Sequence, residues 1–492
     1  MKRHSAYRIR SIPIPLQVVM LLLMTTFLAF CQKEESEPNQ EEQAPDGYLS
    51  LDYASPKGQV SDWHMGLNIV FSHHSDAFWE NSGIIEILKD MNCPVLRFPG
   101  GAVTSYYHWD DMNGLGWSDT WNPNYDPSSA ADPSEYTDLA EFMDICGQVG
   151  AEPMVGINMT SGVKYDRIQD GLEEAKALMQ HCIDQGYDVK YYYLDNERYH
   201  QGWSAELYVR EINRYVPELR KIDPEAQFIA NWKLNRNDLK YLVTNAGHNF
   251  DMLDHHEYYD WGKASWERWK SELPMDISNQ WHPEDTPHDV YYQQWLDQFA
   301  QWGYPDLQIA TNEWNIGPND ENNYATPFQY ALMQSELWLQ MAEGGIEMSC
   351  FWPIFWAHPD PVEVQNRYLI KTTTKEPNPV TQCFNMLGKS LGNDIYEASI
   401  SVKAVTGMAV QDDSKARVYI HSKSPKSKRL QLILGGVDAE GQARLTTFLQ
   451  DEQAPARGMV VDTTFSMDQE EVMVEVPAFS LNMLEFNLTS GS

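Results

Sequence analysis

The sequence predicts an α/β protein, a (β/α)8 TIM barrel with a C-terminal antiparallel β-sandwich domain. Eight short apolar runs alternate with helical patterns between about residues 63 and 391, and eight parallel strands are the number that closes such a barrel. After Gly392 the helical patterns stop, and short strand-like runs follow at the spacing of a sandwich. A doubly wound open sheet is the alternative arrangement of the same alternating elements.

Length and composition agree with two domains. The chain has 492 residues, enough for a barrel of roughly 250 residues or more and a smaller partner domain. Its hydrophobic content of 42% excludes global disorder. The formal net charge of −35 disfavours nucleic acid as a partner, because that binding needs lysine and arginine to replace counterions. The cysteines beyond residue 31 form no CxxC pair, which favours buried free thiols over a zinc site or a disulfide framework.

Residues 1–30 have the pattern of a lipoprotein signal peptide. The segment MKRHSAYRIR is basic, and the apolar stretch Leu16–Phe30 is too short to span a bilayer comfortably. That stretch ends in the letters LAFC, which resemble a lipoprotein box with Cys31 as the lipidation site. The acidic residues of 31–50 are interpreted as a tether, similar to the export signal of certain Gram-negative surface lipoproteins.

This N-terminus predicts a cell-surface lipoprotein of the outer membrane, which touches the membrane through its lipid anchor only. A periplasmic or secreted protein is the alternative, with an ordinary secretory peptide followed by a solvated acidic linker.

The barrel is predicted over residues 51–395. Its expected strands are Met65–Phe71, Val95–Phe98, Met154–Ile157, Val189–Leu194, Phe228–Ala230, Met252–Leu253, Leu307–Ala310 and Met348–Trp352. Helical patterns lie between them. The segment Asp132-Pro133-Ser134-Glu135 has the form of a capping box with proline at the first helical position. Thr326-Pro327-Phe328-Gln329 caps another helix, which ends at Gly344.

The sandwich is predicted over residues 396–492. Its expected strands are Ser399–Val410, Arg417–His421, Leu430–Leu434, Leu445–Leu449, Met459–Thr464 and Val472–Leu488. The turns between them contain Asp-Asp, Ser-Pro, Gly-Gly and Ala-Pro. A strand from 48–53, ahead of the barrel, is a further candidate for this domain.

The dipeptide Asn-Glu follows two of the predicted barrel strands. Asn196-Glu197 comes after the fourth strand and Asn312-Glu313 after the seventh. Catalytic groups of this fold lie at the carboxyl ends of the strands, and two carboxylates that converge there suit glycoside hydrolysis. The alternative is that each glutamate meets solvent where its strand ends.

Other predicted strand ends carry groups that suit a carbohydrate site. A guanidinium can orient a carboxylate, amides and imidazoles bind hydroxyl groups, and an indole is a face for a sugar ring. These candidates are Arg97 after the second strand, Asn158 after the third, His256 and Tyr258 after the sixth, and Trp352 after the eighth. The loops 102–131 and 259–287 are long and rich in aromatic residues, which either bind sugars or pack the loops onto the barrel.

The motifs RFPGG, NE, HxY and NEW, in this order along the chain, resemble those of glycoside hydrolase clan A. Within the clan the chain is most similar to the family 51 α-L-arabinofuranosidases and related retaining barrel glycosidases. The terminal segment VPAFSLNMLEFNL is similar to the last strands of that family's sandwich, so the resemblance covers most of residues 60 to 488.

The resemblance implies a role for each matching residue. Glu197 matches the acid/base, and Glu313 matches the nucleophile. Arg97 and Tyr258 match groups that hydrogen-bond the nucleophile, Asn196 matches the amide that contacts the sugar 2-hydroxyl, and His256 and Trp352 match residues that line the sugar subsite. One position departs from the pattern, because Asp195 stands where the family commonly has glycine.

These assignments predict a retaining, double-displacement hydrolase of plant or algal polysaccharide that needs no cofactor and no metal. The acid/base Glu197 then needs a raised pKa, and the nucleophile Glu313 has to stay ionised. Other clan A activities remain open, namely a β-agarase or galactanase, a xylanase or a β-xylosidase.

Two further readings belong to other classes. A metal-dependent hydrolase is suggested by His73-His74 and His255-His256, although adjacent residues of a strand point to opposite faces. A non-catalytic glycan-binding lipoprotein explains the anchor and the aromatic residues, but not two glutamates at strand ends.

Overall fold

The computed structural model describes residues 44–80, 82–110, 116–117, 133–277, 286–356, 361–412, 415–469 and 471–489. The predicted signal peptide, the lipidation site Cys31 and most of the predicted tether lie outside these residues. The described residues from Pro45 onward form one compact unit. Within the described part of the chain, no helix combines the length and the apolar character that crossing a bilayer requires.

Eight parallel strands form a closed barrel. In chain order they are Trp63–Asn68, Val95–Phe98, Glu152–Ile157, Tyr191–Leu194, Gln227–Asn231, Met252–Asp254, Gln308–Ile316 and Met348–Phe351. The eighth strand pairs with the seventh, with Met348 beside Ala310, and also with the first, with Phe351 beside Leu67. This pairing closes the sheet, so the barrel is confirmed and the doubly wound alternative is wrong.

The barrel strands are largely apolar before their carboxyl ends because both of their faces are buried. In the fourth strand, Tyr191 and Tyr193 belong to a core that also holds inward residues of neighbouring strands. Tyr192 and Leu194, which point the other way, belong to the larger core that the surrounding helices cover. The run of three tyrosines therefore fills both sides of one strand.

The α-helices are Asp76–Trp79, Ser82–Asp90, Leu139–Val149, Thr160–Lys164, Ile168–Gln185, Ala205–Leu219, Leu239–Ala246, Trp266–Ser271, His288–Gln301, Pro327–Glu343 and Val380–Leu387. Short 3-10 helices are Gly101–Ser105, Pro133–Glu135, Arg198–Gln201, Gly247–Asn249, Val364–Arg367 and Gly388–Ser390.

One of the two predicted helix caps is wrong. Asp132 lies outside the described residues, and Pro133–Glu135 forms a separate 3-10 turn. The capping box of the following helix is made by Asp138 and Glu141, which begin the helix six residues later along the chain than predicted. The cap at Thr326 and Gln329 has the predicted form, and that helix ends at Glu343, followed by Gly344.

The second domain is a mostly antiparallel sheet structure. Its strands are Gly47–Asp52, Gly58–Gln59, Asp394–Ile400, Val405–Asp412, Lys415–Ser422, Lys428–Gly435, Asp438–Gln450, Gly458–Ser466, Val472–Val476 and Ser480–Thr489. The first half of Asp394–Ile400 pairs with Val405–Asp412, and its second half pairs with Gly47–Asp52. A strand that changes partners in this way joins two sheets, and apolar residues from both form one core.

The predicted boundaries of this domain differ from the observed ones in three places. The predicted strands Ser399–Val410 and Val472–Leu488 are each divided into two strands by a turn. The early strand is Gly47–Asp52, which also pairs in parallel with Lys428–Gly435. The end of the predicted tether and the start of the predicted barrel therefore contribute to the second domain.

A buried ion pair joins the second domain to the barrel, and we call it the interdomain pair. Lys423 Nζ lies 2.8 Å from Glu336 Oε2, and both side chains are almost completely buried. Glu336 belongs to the barrel helix Pro327–Glu343, and Lys423 follows a strand of the second domain. The pair therefore fixes a barrel helix to the neighbouring domain.

Candidate active site

The fourth barrel strand ends in an unusual backbone turn that presents Glu197. Asp195 and Glu197 have φ angles of 64° and 44°, in the left-handed region that residues other than glycine rarely adopt. The backbone N–H of Glu197 donates to Asn231 Oδ1 at 2.7 Å, which ties this turn to the end of the fifth strand. The Glu197 carboxylate is thereby held at the carboxyl end of the barrel, where its Oε1 accepts the hydroxyl of Tyr199 at 3.2 Å.

Glu313 lies inside the seventh strand, which extends to Ile316 and not only to Ala310 as predicted. The side chain is buried, and its two oxygens have different partners. Glu313 Oε1 accepts Arg97 Nη1 at 2.9 Å, and Glu313 Oε2 accepts the hydroxyl of Tyr258 at 3.3 Å. Arg97 and Tyr258 therefore hydrogen-bond Glu313, as the resemblance implies.

Arg97 connects the two Asn-Glu motifs. Its guanidinium donates to Asn68 Oδ1 at 2.9 Å through Nη1 and to Asn196 Oδ1 at 2.6 Å through Nη2. The Tyr193 ring lies 4.2 Å from Arg97 Cζ and provides an aromatic face beneath the charge. Because Arg97 is completely buried, these contacts fix both its position and the carboxylate beside it. We call Arg97 and Glu313 the site pair.

His256 bridges the two glutamates. Its Nδ1 lies 2.9 Å from Glu197 Oε1 and 3.4 Å from Glu313 Oε2, and its Nε2 lies 3.1 Å from Asp254 Oδ2. Asp254 also accepts the side chain of Asn231 at 2.8 Å. The resemblance places His256 in the lining of the sugar subsite, but here it contacts both carboxylates directly.

The two carboxylates are close together. One oxygen of Glu197, one oxygen of Glu313 and a ring nitrogen of His256 all lie within 4.8 Å of one another. Retaining glycosidases have carboxyl groups about 5 to 5.5 Å apart, whereas inverting enzymes need roughly 6.5 to 9.5 Å to admit a water molecule. The short distance between these two oxygens agrees better with the retaining than with the inverting geometry.

The same three side chains offer one ligand atom each, and three protein ligands are the usual number in a catalytic zinc site. The histidine pairs that suggested a metal enzyme do not chelate as pairs. The side chain of His255 turns to Glu257 at 3.2 Å, away from His256. His73 stacks on Trp356 at 3.6 Å, and Nδ1 of His74 accepts the backbone N–H of Val70 at 2.9 Å.

The protonation of the site differs from the expectation drawn from the sequence. Burial alone raises the pKa of Glu197, but the hydrogen bond and the charge of His256 outweigh burial and lower this pKa. Burial raises the pKa of Glu313 despite the nearby charges of His256 and Arg97. The pKa of His256 rises to about 10 although burial opposes the rise, because Glu313 and Asp254 favour the charged ring.

The proton that an acid catalyst needs therefore lies on His256 before a substrate binds. The expected raised pKa of Glu197 is wrong for this state, since the imidazolium 2.9 Å away stabilises the carboxylate.

Two predicted site residues lie outside this cluster of contacts. Asn158 forms a local turn, in which its Oδ1 accepts the backbone N–H of Ser161 at 3.0 Å and its Nδ2 donates to Ser161 Oγ at 2.9 Å. Trp352 is half-buried and packs against Gly101, where an added Cβ would lie 2.6 Å from the indole. The RFPGG motif thus ends in a glycine because the indole needs its space.

Sequence reasoning missed four residues that hold the site together. They are Asn68, Tyr199, Asn231 and Asp254. Asn68, Asn231 and Asp254 end the first, fifth and sixth strands. A polar residue at the end of an apolar strand is the signal that identifies these three, whereas Tyr199 follows the turn and carries no such signal.

The aromatic loops contain both packing and exposed residues. Tyr107 and Trp269 are buried in the core that surrounds the barrel. Trp261 is 46% exposed, and its ring lies 5.2 Å from that of Tyr258. Trp121 and Trp281 lie outside the described residues.

Comparison with known proteins agrees with these observations. Residues 87–271 match the family model described as "Alpha-L-arabinofuranosidase 1 domain". An "Intracellular exo-alpha-L-arabinofuranosidase" of Bacteroides ovatus is 30% identical over 196 residues, which are 36% of this chain and 36% of that protein. The chain spans about a third of the length of most curated relatives that it matches, and about half of one.

Solved structures share the whole fold. An α-L-arabinofuranosidase from Thermotoga maritima superimposes with a TM-score of 0.68 at 16% identity, over 90% of this chain and 100% of that one. CelM2, a bifunctional glucanase-xylanase from a metagenome library, has a TM-score of 0.65 at 16% identity, over 91% of this chain and 100% of that one. The predicted resemblance to clan A, and within it to family 51, is confirmed.

Proposed function

We propose that this chain, with its barrel similar to those of family 51, is a retaining glycoside hydrolase. Glu313 is the nucleophile and Glu197 the acid/base. The observation that carries the proposal is the spacing of these two carboxylates within 4.8 Å, with His256 between them. A solvent-facing pair of glutamates has no need of a buried arginine, a tyrosine and a histidine as partners, so the arrangement supports catalysis over glycan binding alone.

In the first step, Glu313 attacks the anomeric carbon and the glycosidic bond to the leaving group breaks. Arg97 and Tyr258, at 2.9 and 3.3 Å, orient the attacking oxygens, and the charge of Arg97 opposes the effect of burial on the pKa of Glu313. A sugar that covers the site removes water from Glu197 and raises its pKa. The proton then passes from His256 Nδ1 across 2.9 Å to Glu197, which delivers it to the departing oxygen.

In the second step, water replaces the leaving group beside Glu197. Glu197, now ionised, removes a proton from this water, and the resulting hydroxide attacks the anomeric carbon of the glycosyl ester. The ester bond to Glu313 breaks, and the carboxylate returns to its pair with Arg97. The proton on Glu197 then restores the charged state of His256, which Asp254 stabilises through Nε2 at 3.1 Å.

The stereochemistry of the product tests this mechanism. Early NMR spectra of the reaction should show a product that retains the anomeric configuration of the substrate. Glu197→Ala should keep activity only on substrates with good leaving groups, and azide should restore it with formation of a glycosyl azide. An inverted first product would refute the double displacement, and a wild-type protein that binds glycans without hydrolysing them would favour the binding protein.

For the substrate, we propose an α-L-arabinofuranosyl linkage in a plant or algal polysaccharide. The matched relatives carry arabinofuranosidase names, and the matching family model covers Arg97, Glu197 and His256 but ends before Glu313. The other clan A activities named above are the alternatives. Hydrolysis rates on a panel of 4-nitrophenyl glycosides, followed by arabinan, arabinoxylan, xylan and agarose, separate them.

For the location, we propose a lipoprotein at the outer-membrane surface, anchored through Cys31. The basic start, the short apolar stretch and the cysteine at its end support this location. Labelled palmitate should enter the wild-type protein but not Cys31→Ser, and protease added to whole cells should remove the wild-type protein. The relative from Bacteroides ovatus is named intracellular, and protection from protease with no palmitate would place this chain inside the cell as well.

A further inference from the structure

Asp195 occupies a backbone conformation that normally favours glycine. Its φ angle is 64°, in the left-handed region, where the Cβ of a side chain approaches the following carbonyl oxygen unfavourably. Aspartate is among the few residues that tolerate the region when the carboxylate finds local hydrogen bonds. The side chain at this position therefore has to be stabilised by its surroundings.

The carboxylate of Asp195 accepts four hydrogen bonds. Oδ1 accepts Ser105 Oγ at 2.6 Å and the backbone N–H of Asn196 at 2.8 Å. Oδ2 accepts Thr160 Oγ1 at 2.7 Å and the backbone N–H of Met159 at 3.1 Å. Asp195 is completely buried, so these donors replace the water that a carboxylate would otherwise bind.

These four donors come from three strand ends of the barrel. Ser105 ends the short helix that follows the second strand, and Met159 and Thr160 follow the third strand. Asn196 follows the fourth strand. One carboxylate thus connects three neighbouring loops at the carboxyl end of the barrel, directly before the proposed acid/base.

Arg198, the residue after Glu197, contacts the same group of side chains. Its Nη1 lies 3.6 Å from Asp195 Oδ1 and donates to Ser105 Oγ at 2.6 Å. The guanidinium also lies 5.2 Å from the ring of Trp203. Both charges are buried and compensate each other, so the chain is fixed immediately before Asn196 and immediately after Glu197.

We propose that Asp195 is a positioning residue, which holds the Asn196-Glu197 turn so that Glu197 can transfer its proton to the leaving group. This inference rests on the proposed function. Glycine adopts the same φ angle without strain, but it leaves four buried donors without their acceptor and gives the turn more freedom. Proton transfer needs Glu197 within hydrogen-bond distance of the departing oxygen, and a misplacement of about 1 Å costs around a hundredfold in rate.

The dependence of the rate on the leaving group separates positioning from a general structural role. A 2,4-dinitrophenyl glycoside leaves without a proton, whereas an alkyl glycoside or an oligosaccharide needs one. In kcat/KM, which reports only the steps up to departure of the leaving group, Asp195→Gly should stay within about threefold of the wild type on the first substrate and lose about 30- to 100-fold on the second. Asp195→Asn, which keeps one acceptor oxygen, should lie between them.

Asp166→Gly is the matched control, because Asp166 is an exposed aspartate with a φ angle of 53° in the loop after Thr160–Lys164. It should leave both rates unchanged. A crystal structure of Asp195→Gly should show Glu197 displaced from the nitrogen of His256 that lies 2.9 Å away in the wild type. This readout holds even if Asp195→Gly is less stable than the wild type.

Equal losses on both substrates, or a Glu197 carboxylate that has not moved, would overturn the role of Asp195. Failure of the proposed function looks different, because then Glu313→Ala hydrolyses every substrate as fast as the wild type does.

Discussion

Two buried carboxylates each pair with a positively charged side chain at nearly the same distance, yet their pKa values shift in opposite directions. In the site pair, Glu313 lies 2.9 Å from Arg97, and in the interdomain pair, Glu336 lies 2.8 Å from Lys423. The pKa of Glu313 is raised by burial. Burial also acts to raise the pKa of Glu336, but the charge of Lys423 outweighs it and the pKa is lowered.

The difference comes from the remaining neighbours. Glu336 also accepts Trp269 Nε1 at 2.6 Å and the backbone N–H of Met275 at 2.9 Å. Glu313 lies close to a second carboxylate, Glu197, whose charge raises its pKa further. Full hydrogen bonding around one charge suits a fixed structural contact, whereas two carboxylates in competition for protons suit a group that changes its state during a reaction.

The largest expected effect is the loss of activity when Glu313 is replaced. Glu313→Ala should lower kcat by about 10⁴-fold or more, because no other group can form the covalent intermediate. The melting temperature should fall less than that of Glu336→Ala, because Arg97 keeps its hydrogen bonds to Asn68 and Asn196 and the substitution removes a charge that repels Glu197. Steady-state kinetics and calorimetry of the same sample measure both quantities, and a loss of activity accompanied by a large loss of stability would place Glu313 among the structural carboxylates.

The second effect is a loss of stability with little loss of activity, and it concerns the interdomain pair. Glu336→Ala should cost about 3 to 5 kcal/mol of unfolding free energy, because it leaves Lys423 buried without its partner. The kcat of the folded enzyme should stay within about twofold of the wild type. Denaturant unfolding checks the first expectation, and the double variant Glu336→Met with Lys423→Met should recover most of the lost stability.

The pH dependence of the interdomain pair has a definite sign. The folded pKa of Glu336 is lowered, so its stabilisation is complete above the unfolded pKa of about 4.3 and is lost as the pH falls through the folded value. Glu336→Gln should flatten this acid limb of the stability curve. An unchanged acid limb would show that other carboxylates determine it.

The third effect concerns the geometry of the site pair. Arg97→Lys keeps the charge, but one ammonium group cannot reach both Glu313 and Asn196 as the two guanidinium nitrogens do. We expect kcat/KM to fall by about a hundredfold. Arg417→Lys is the control, because Arg417 binds Glu485 at 3.1 Å in the second domain and should leave kcat/KM unchanged.

The comparison also shows how much could be predicted from the sequence. Apolar runs that end in Arg97, Glu197 and Tyr258 predicted the strands and the site, because the barrel brings all of its strand ends together. Spacing along the chain carries no information about Lys423 and Glu336, whose contact depends on how the two domains pack.

The protonation states were also beyond the sequence. The pKa of Glu197 depends on His256, 59 residues away along the chain, and on a distance that only the folded barrel sets. The contacts of Asp195 were beyond the sequence as well. This residue departs from the family pattern, and its carboxylate connects three loops. Sequence patterns identify the residues of the site, and packing determines their charges.

The smallest effect concerns an acidic group beside the interdomain pair. Glu343 lines a cleft of about 250 Å³ between a barrel helix and strands of the second domain. Burial, together with the charge of Asp289, raises its pKa to about 8. The folded protein therefore binds a proton that the unfolded chain releases near pH 4.5, and stability falls as the pH rises from about 4.5 to 8.

Glu343→Gln cannot ionise and should remove this decline. At pH 8.5 the variant should be about 2 kcal/mol more stable than the wild type, a value reduced from the full shift because the side chain is partly exposed. At pH 4 the two proteins should unfold together, and Asp289→Asn should give part of the same gain at high pH. Equal stability of Glu343→Gln and the wild type at pH 8.5 would mean that Glu343 is solvated and ionised like a surface group. The contrast between the interdomain region and the site would then rest on the lowered pKa of Glu336 alone.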